Sequence, residues 1–344
     1  MNTDGADEQG SERPVTLADI AREAGTSPST ASRALSGRGY VSAPARERLL
    51  EVASRLGYVP DASARTLKQR TSSVVGVVVS DLGNQFYARL ALGIEQTLRE
   101  ADYQMVLVAD NSEGEEEIAG ARTFLAMKAA GVILTPVGSE ATGLLARHGT
   151  PVVEVDRQLA DPPCDAVVID NEGGARAAVL HLLALGHRRV GLLVPDTDWT
   201  TDAGRLRGYR LAHEDLGIPI DEALVARVPV HAPDTRERID ALLRDGAPTA
   251  IVAANNPLAD ETWHLLRQKR LRLPGDISLV GFDDVPWMEM VEPGITAVAQ
   301  PAVEMGRRAA ELFLRRAADP TCEVRVERLE AQVVPRGSTA PPRG

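Results

Sequence analysis

The stretch GTSPSTASRALSG, Gly25 to Gly37, leaves few folds open. Gly25 stops whatever precedes it. Ser27 can cap a helix, and Pro28 fits the first helical position, where its missing N–H costs nothing. The residues between the two glycines are small and mostly polar, with one long cation, Arg33. A helix made only for packing would carry larger apolar groups. The flanks predict two more helices. Leu17, Ile20, Ala21 and Ala24 recur at i, i+3, i+4 and i+7 behind a capping-box-like pair, Thr16 and Asp19. Leu49, Val52, Ala53 and Leu56 form the stripe of a third helix, which Ser42 is expected to cap, with Pro44 in its first turn and Gly57 at its end. Two helices joined by a tight glycine turn and braced by a third make a helix-turn-helix. Ala31, Ala34 and Leu35 are expected to pack inward, leaving Ser29, Thr30, Ser32 and Arg33 outside. Small hydroxyls let the backbone come close to phosphates, and the helix start offers free N–H groups. Arg33 can place a bidentate fork on guanine O6 and N7. The pattern equally admits a small surface helix with an arginine lying along it.

Charge separates this module from the rest. Residues 15–70 hold nine Lys or Arg against five Asp or Glu, the first 14 hold one Arg against four acids, and the whole chain carries −11. A small basic module therefore precedes a large acidic body, the outline of a nucleic-acid reader joined to something else. The length, 344 residues with 44% hydrophobic, suits about two or three domains. No run approaches the roughly 18 apolar residues of a membrane span. MNTDGADEQGSERP has no apolar stretch of a secretory signal. Two cysteines, Cys164 and Cys322, make neither a disulfide framework nor a metal spacing. A cytoplasmic protein with no membrane partner, metal or cofactor is expected.

From Val74 onward short β-branched runs alternate with amphipathic stretches: VVGVVVS, YQMVLVA, GVILT, PVVEVD and AVVID, then RRVGLLV, ALVARV, TAIVAAN and ISLVGFD. Such alternation predicts parallel sheets with helices on both faces. No G-x-x-x-x-G-K-S/T loop occurs, and no G-x-G-x-x-G opens a helix. No catalytic Ser-His-Asp order is present, so an enzyme is not expected. His181 and His187 flank one helix end and read as surface or capping residues.

VTLADIAREAGTSPSTASRALSG…VSAPARERLLEVASRLGYVPDASARTLK closely resembles the DNA-binding headpiece of the LacI/GalR family of bacterial transcription regulators. The resemblance implies that Thr16, Ser27, Thr30 and Ser32 contact phosphates, while Pro28, Ser29 and Arg33 face base edges. PDASARTLKQRTSS, Pro60 to Ser73, carries no apolar stripe and by itself reads as a linker. The family likeness makes it a hinge that folds as a helix when two subunits meet on DNA. Asp61 would cap it, Ala64 would let two hinge helices approach, and Leu67 would enter the minor groove as a wedge that kinks the duplex. The likeness continues through SDLGNQFYARLALGIEQTLREADY, PVVEVDR, VVIDNEGGARAAVLHLLALGHRRVGLL, GRLRGYRLAHEDLGI, PTAIVAANN, ISLVGFDDVPW and PGITAVAQPAVEMGRRAAELFL.

The fold implied is α/β: the headpiece plus a two-lobed, periplasmic-binding-protein-like body of doubly wound parallel sheets. Its expected parts are an acidic tail over 1–14, the helix-turn-helix domain over 15–58, a hinge over 59–73, an effector-binding and dimerisation body over 74–337, and a tail over 338–344. Lobe one is expected over about 74–185 and 300–326, lobe two over about 186–299 and 327–337, with crossings near Gly186, near Gln300 and toward the C-terminus. Ligands of open α/β sheets bind outside the carboxyl ends of the strands. There the resemblance places Phe86 and Tyr87 as stacking residues, Arg205 as a grip on hydroxyls or a carboxylate, and Asn255 and Asp283 as polar groups of the second lobe. Asp81 and Asp170 are carried over with them. Trp287 is either an apolar floor against a sugar face or a core residue, and Asp283 and Asp284 can also serve as caps. Departures from the family pattern, NQFY, NN at 255–256 and the loop PDTDWTTDAG, bear on ligand identity. The function implied is a ligand-responsive regulator, a repressor of carbohydrate uptake or catabolism genes. It would bind a pseudo-palindromic double-stranded operator as a homodimer and a sugar or sugar derivative as effector. A solute-binding protein with the same body is the rival reading, and the N-terminal module argues against it.

Overall fold

The computed structural model describes residues 13, 15–37, 39–58, 72–159, 161, 163–244 and 247–343. The expected hinge residues Asp61, Ala64 and Leu67 lie outside the described residues. Contacts divide the chain into two units, Met1–Arg70 and Thr71–Gly344.

The first unit holds α1 (Leu17–Glu23), α2 (Pro28–Ser36) and α3 (Ala43–Arg55). The Thr16 N–H donates to Asp19 Oδ2 at 3.0 Å and the Asp19 N–H donates to Thr16 Oγ1 at 3.4 Å, so the capping box forms. Ser27 Oγ accepts from the Thr30 N–H at 3.2 Å and starts α2. Ser42 stands at the start of α3, but its side chain makes no capping bond, contrary to expectation; Pro44 in the first turn lacks an N–H to offer. Ile20, Ala31 and Leu49 are fully buried at the centre, and Leu35 and Leu56 close the edges. Fully burying an apolar side chain the size of Leu49 contributes about 1.5–3 kcal/mol, which these short helices need because they are marginal alone.

The second unit is α/β. Its strands are β1 (Val74–Val79), β2 (Gln104–Ala109), β3 (Gly131–Leu134), β4 (Val152–Val155), β5 (Asp165–Ile169), β6 (Val190–Pro195), β7 (Val225–Val228), β8 (Ala250–Ala253), β9 (Ser278–Phe282), β10 (Thr296–Ala299), β11 (Val326–Leu329) and β12 (Gln332–Val334). Its helices are α4 (Gln85–Glu100), α5 (Gly114–Ala126), α6 (Glu140–Arg147), α7 (Asn171–Ala184), α8 (Thr200–Asp215), α9 (Thr235–Leu242), α10 (Asn256–Gln268), α11 (Pro286–Met290) and α12 (Ala302–Ala318). Two six-stranded sheets form, ordered β11-β5-β4-β3-β1-β2 and β12-β10-β9-β8-β6-β7. All pairings are parallel except β10 with β12. Strand β1, VVGVVV, shows why a run without polar residues is needed. Val75, Val77 and Val79 pack toward α4 and α12, while Val78 packs toward α5 and α6. Both faces are covered, so both residues of the two-residue repeat must be apolar.

The lobes exchange chain at three points, two of them displaced from expectation. Helix α7 follows β5 of the first sheet but packs on α8, so the first crossing falls at Asp170–Asn171 rather than near Gly186. A Cβ at Gly208 of α8 would sit on the Glu172 carbonyl of α7, which explains the glycine. The return falls at Gln300–Pro301, because α12 packs on α4; there Gly93 and Gly306 bring the two helix backbones together, and a Cβ at either would strike the other helix's carbonyls. The last crossing lies after Leu329, not at 326, since β11 pairs with β5. Residues 338–340 are also no tail. Ser338 is fully buried, donating from Oγ to the Leu279 carbonyl at 2.5 Å and accepting from the Thr296 N–H at 2.8 Å.

Candidate functional site

Two faces carry chemistry, one in each unit. On the first, Ser27, Pro28, Ser29 and Arg33 are exposed at the start and outer side of α2, with Thr30 and Ser32 half-buried and Thr16 exposed at the start of α1. Ser27 Oγ lies 2.9 Å from both Ser29 Oγ and Thr30 Oγ1, a hydroxyl cluster at a positive helix end. Arg33 donates from Nε to the Ser29 carbonyl at 3.2 Å, in an exposed bond that is readily exchanged. Its stem runs beside Gly39, where a Cβ would lie 3.1 Å from Arg33 Cδ. Gly39, at φ 82°, thus leaves room for the Arg33 side chain.

On the second, a cavity of about 360 Å³ opens between the lobes. In each sheet the strand order reverses beside the first strand, at β1/β3 and at β6/β8, and the cavity lies off the carboxyl ends there, at Ser80–Asp81, Pro195 and Asn255. Asp81, Phe86, Tyr87, Arg205, Asn255 and Asp283, which the family resemblance placed in a cleft, all line it. Asp170 and Trp287 do not. Asp170 accepts from the Gly173 N–H at 3.0 Å and caps α7 at the crossing. Trp287 packs against the second lobe's core and donates to Asn256 Oδ1 at 3.0 Å, so the core reading of that residue applies.

Residues missed by the sequence reading complete the site. Asp156 and Arg157 follow β4 directly, and both are buried. Tyr87 donates its hydroxyl to Asp156 Oδ2 at 3.4 Å and accepts from Arg157 Nη2 at 3.2 Å. Burial pushes the Asp156 carboxyl up to about 6, against the opposing pull of Arg157 and Arg205. Burial also raises the Tyr87 hydroxyl and the Asp202 carboxyl. Arg157 lies 3.4 Å over the ring of Trp199, a second-lobe residue whose indole N–H donates to the Val137 carbonyl of the first lobe at 3.1 Å. The 137–138 backbone is fixed in turn by Glu117, which accepts from the Val137 and Gly138 N–H groups at 3.1 and 3.2 Å. Its carboxyl is pushed up to about 7 by burial. Across the cleft Arg205 donates to Asn171 Oδ1 at 2.8 Å and to the Ala254 carbonyl at 2.5 Å, with its face over Phe282. Asp283 accepts from Gln300 Nε2 at 2.5 Å and from the Asn256 N–H at 3.0 Å.

Asp156 and Asp283 have φ of 70° and 87°, in the left-handed region. Such backbone costs about 1–3 kcal/mol per residue and gathers at functional sites. A signal for Asp156 existed: an acid directly after an apolar strand run, in VVEVD as in LVGFD. For Trp199 it was an aromatic in an otherwise polar loop. His187 departs from its surface reading. It is buried, sharing a hydrogen bond with Thr249 Oγ1 at 2.8 Å and donating to the Ala340 carbonyl at 2.9 Å, while His181 lies 3.0 Å from Thr339 Oγ1. Burial lowers the pKa of both imidazoles. Among the described residues no group of three or more His, Cys, Asp or Glu is placed to hold a metal ion, and no helix is long and apolar enough to cross a membrane.

Known proteins share both faces. The family of bacterial regulatory proteins, lacI family, matches residues 16–61, and the periplasmic binding protein-like domain matches residues 179–339. The HTH-type transcriptional regulator DegA of Bacillus subtilis (strain 168) is 32% identical over 297 residues, covering 85% of this chain and 88% of that protein. The structure of the transcriptional regulator CelR–cellobiose complex superimposes with a TM-score of 0.71 at 30% identity, covering 95% of this chain and 100% of that one. The lac repressor dimer bound to operator and the anti-inducer ONPF gives a TM-score of 0.83 at 25% identity, with the same coverage.

Proposed function

The chain belongs to the lacI family of bacterial regulatory proteins, and from that premise we propose that it represses carbohydrate uptake or catabolism genes under the control of a sugar or sugar derivative in the cleft. One observation carries the reading: a single chain presents an exposed helix-turn-helix and, separately, a buried polar cavity to which both lobes contribute. Pairs of chains would read a pseudo-palindrome, one headpiece per half-site. Thr16, Ser27, Thr30 and Ser32 would hold phosphates, and Pro28, Ser29 and Arg33 would face the bases. Ala64 and Leu67 would act in the hinge. Structures of relatives bound to operator and to cellobiose support both halves. The cleft binds its ligand rather than transforming it, and the protein acts in the cytoplasm, where the DNA is.

Ligand and operator are coupled only through differential affinity for two lobe arrangements, so each changes the other's binding by the same factor. The test is calorimetry with a sugar found by thermal-shift screening, plus operator titration with and without it. Arg205→Ala and Asp283→Ala are expected to weaken ligand binding by about 1–3 kcal/mol, since a buried polar partner is left unpaired. Operator affinity without ligand should stay near that of the parent. Normal binding and response in both variants would move the effector site elsewhere.

A further inference from the structure

We propose that Asn256 is a positioning residue that pins the two lobes together through Asn84, and that this pin sets the lobe arrangement to which DNA binding responds. The effect on DNA rests on the proposed reading of the chain as a regulator; the pin itself does not.

Asn256 opens α10 in the second lobe and is the second residue of NN, a departure from the family pattern. It is 7% exposed and does not line the cavity. Its own lobe fixes it at two points. The backbone N–H donates to Asp283 Oδ2 at 3.0 Å, and the side-chain Oδ1 accepts from the indole N–H of Trp287 at 3.0 Å. An indole N–H only donates, so the amide must turn its oxygen to Trp287 and its nitrogen away. That nitrogen donates to Asn84 Oδ1 at 2.9 Å, across the lobe boundary and 172 positions away in the sequence.

Asn84 is held in the same manner from the first lobe. It caps α4, its Oδ1 accepting from the Phe86 N–H at 2.9 Å. A backbone N–H also only donates, so Asn84 cannot turn its amide without losing the cap. An amide oxygen has two lone pairs; one serves α4 and the other Asn256. Both amide orientations are thus dictated by groups outside the pair, and the dictated orientations match as donor and acceptor. On the same boundary Arg89 of α4 donates to the Asp284 carbonyl at 3.5 Å. Phe86 and Tyr87 at the start of α4, and Asn255 and Asp283 at the start of α10, line opposite walls of the cavity. The pin joins these two helix starts, so it fixes how far apart the walls stand.

Donor count makes asparagine specific at 256. An aspartate has the same shape, still accepts from Trp287 and is favoured at a helix start by the macrodipole. It has no donor for Asn84, and two acceptor oxygens would face each other. A loss on Asn256→Asp therefore isolates the link to the first lobe.

The experiment is urea denaturation of the full chain in a double-mutant cycle of Asn256→Asp and Asn84→Ala. Asn256→Asp should lower the midpoint of the second unit by about 0.3–1 M at pH 8, and by clearly less in the Asn84→Ala background. This coupling should fade as pH falls toward about 4, where the introduced carboxyl takes a proton and regains a donor. The neighbouring charges, Asp283 at the end of β9, Arg89 of α4, and Asp284 with its partner Arg336, are unchanged in every comparison and cancel. Loss of packing alone would give no such pH dependence. Equal effects in both backgrounds overturn the pin and confine Asn256 to its own lobe. The second readout is affinity for DNA that the parent selects from a random pool, with no ligand added. Neither residue belongs to the first unit, yet both substitutions should shift this affinity in one common direction, by about fivefold or more. Coupling in urea with unchanged DNA affinity overturns the regulatory half of the proposal. If the parent selects no DNA, the proposed function falls with that half, while the urea cycle still decides the pin.

Discussion

Headpiece and cleft use polar side chains in opposite ways. Ser27 to Arg33 are seven consecutive residues whose polar groups are exposed or half-buried and bond within their own helix. Asp156, Arg157, Arg205, Asp283 and Gln300 come from separate stretches of the chain, all buried, and their bonds join distant segments. An exposed group changes little in folding, and its energy is realised when a partner arrives. A buried one is desolvated by folding itself, so its energy is already committed before any ligand binds. The headpiece should therefore tolerate changes to its functional residues but not to its small core, while the cleft should couple function and stability at the same positions.

The largest effect tests the core half of that statement. Leu49→Ala removes the central leucine of a cluster with only eight buried residues and should cost the headpiece about 2–5 kcal/mol. Operator binding should vanish, while the ligand-dependent melting transition of the second unit stays put. A shift of that transition by the same amount would mean that the two units do not fold independently.

Next in size is a pH effect confined to the cleft. The folded pKa of Asp156 is raised from 3.8 to about 6, so the ionised form opposes folding. The penalty is fully present above about pH 6 and fades as pH falls toward about 4, where both states are protonated. Without ligand, Asp156→Asn should exceed the parent by up to about 3 kcal/mol near pH 8 and match it near pH 4. Urea denaturation at the two pH values measures this; an equal gap at both would remove the titration from the account. The headpiece offers the opposite sign. Bonds from Thr16 hold the half-buried Asp19 carboxyl down at about 2, so its contribution is present above about pH 4 and lost as pH falls through 2.

A change to the exposed face should leave stability alone. Arg33→Ala is expected to cost about 1–3 kcal/mol in operator binding if the arginine holds a guanine. Titration against operator and scrambled DNA at one salt concentration separates the outcomes, since an equal loss on both would make it a phosphate contact. Smallest is Thr16→Ala, worth about 1 kcal/mol of headpiece stability through the lost cap, read from thermal melts of the α-helical signal.

Legibility followed the range of the interactions. The headpiece helices, their caps at Thr16 and Ser27 and the stop at Gly37 could be read directly, since each depends on residues within one turn. The nine strand runs from VVGVVVS to ISLVGFD were legible because both faces of each sheet are covered. Strands β11 and β12 are not legible in this way: VERL and QVV are short and carry polar residues, and only pairing with β5 and β10 makes them strands. The first crossing was misplaced for a related reason. Helix α7 continues the βα rhythm without interruption, and nothing local says which sheet it covers.

The sequence by itself determined the helix-turn-helix and the alternation of strand and helix, and the family resemblance pointed to six of the residues that line the cavity. Only the tertiary structure decided that Arg157 would lie against Trp199, that His187 would be buried under Ala340, that Asp170 and Trp287 would stay out of the cavity, and that Asp156 and Gln300 would each keep an unpaired oxygen. Caps and periodicities act along the chain, over distances that the backbone fixes. Burial and pairing act through space, over distances set by the order of two sheets and the points where the chain passes between them.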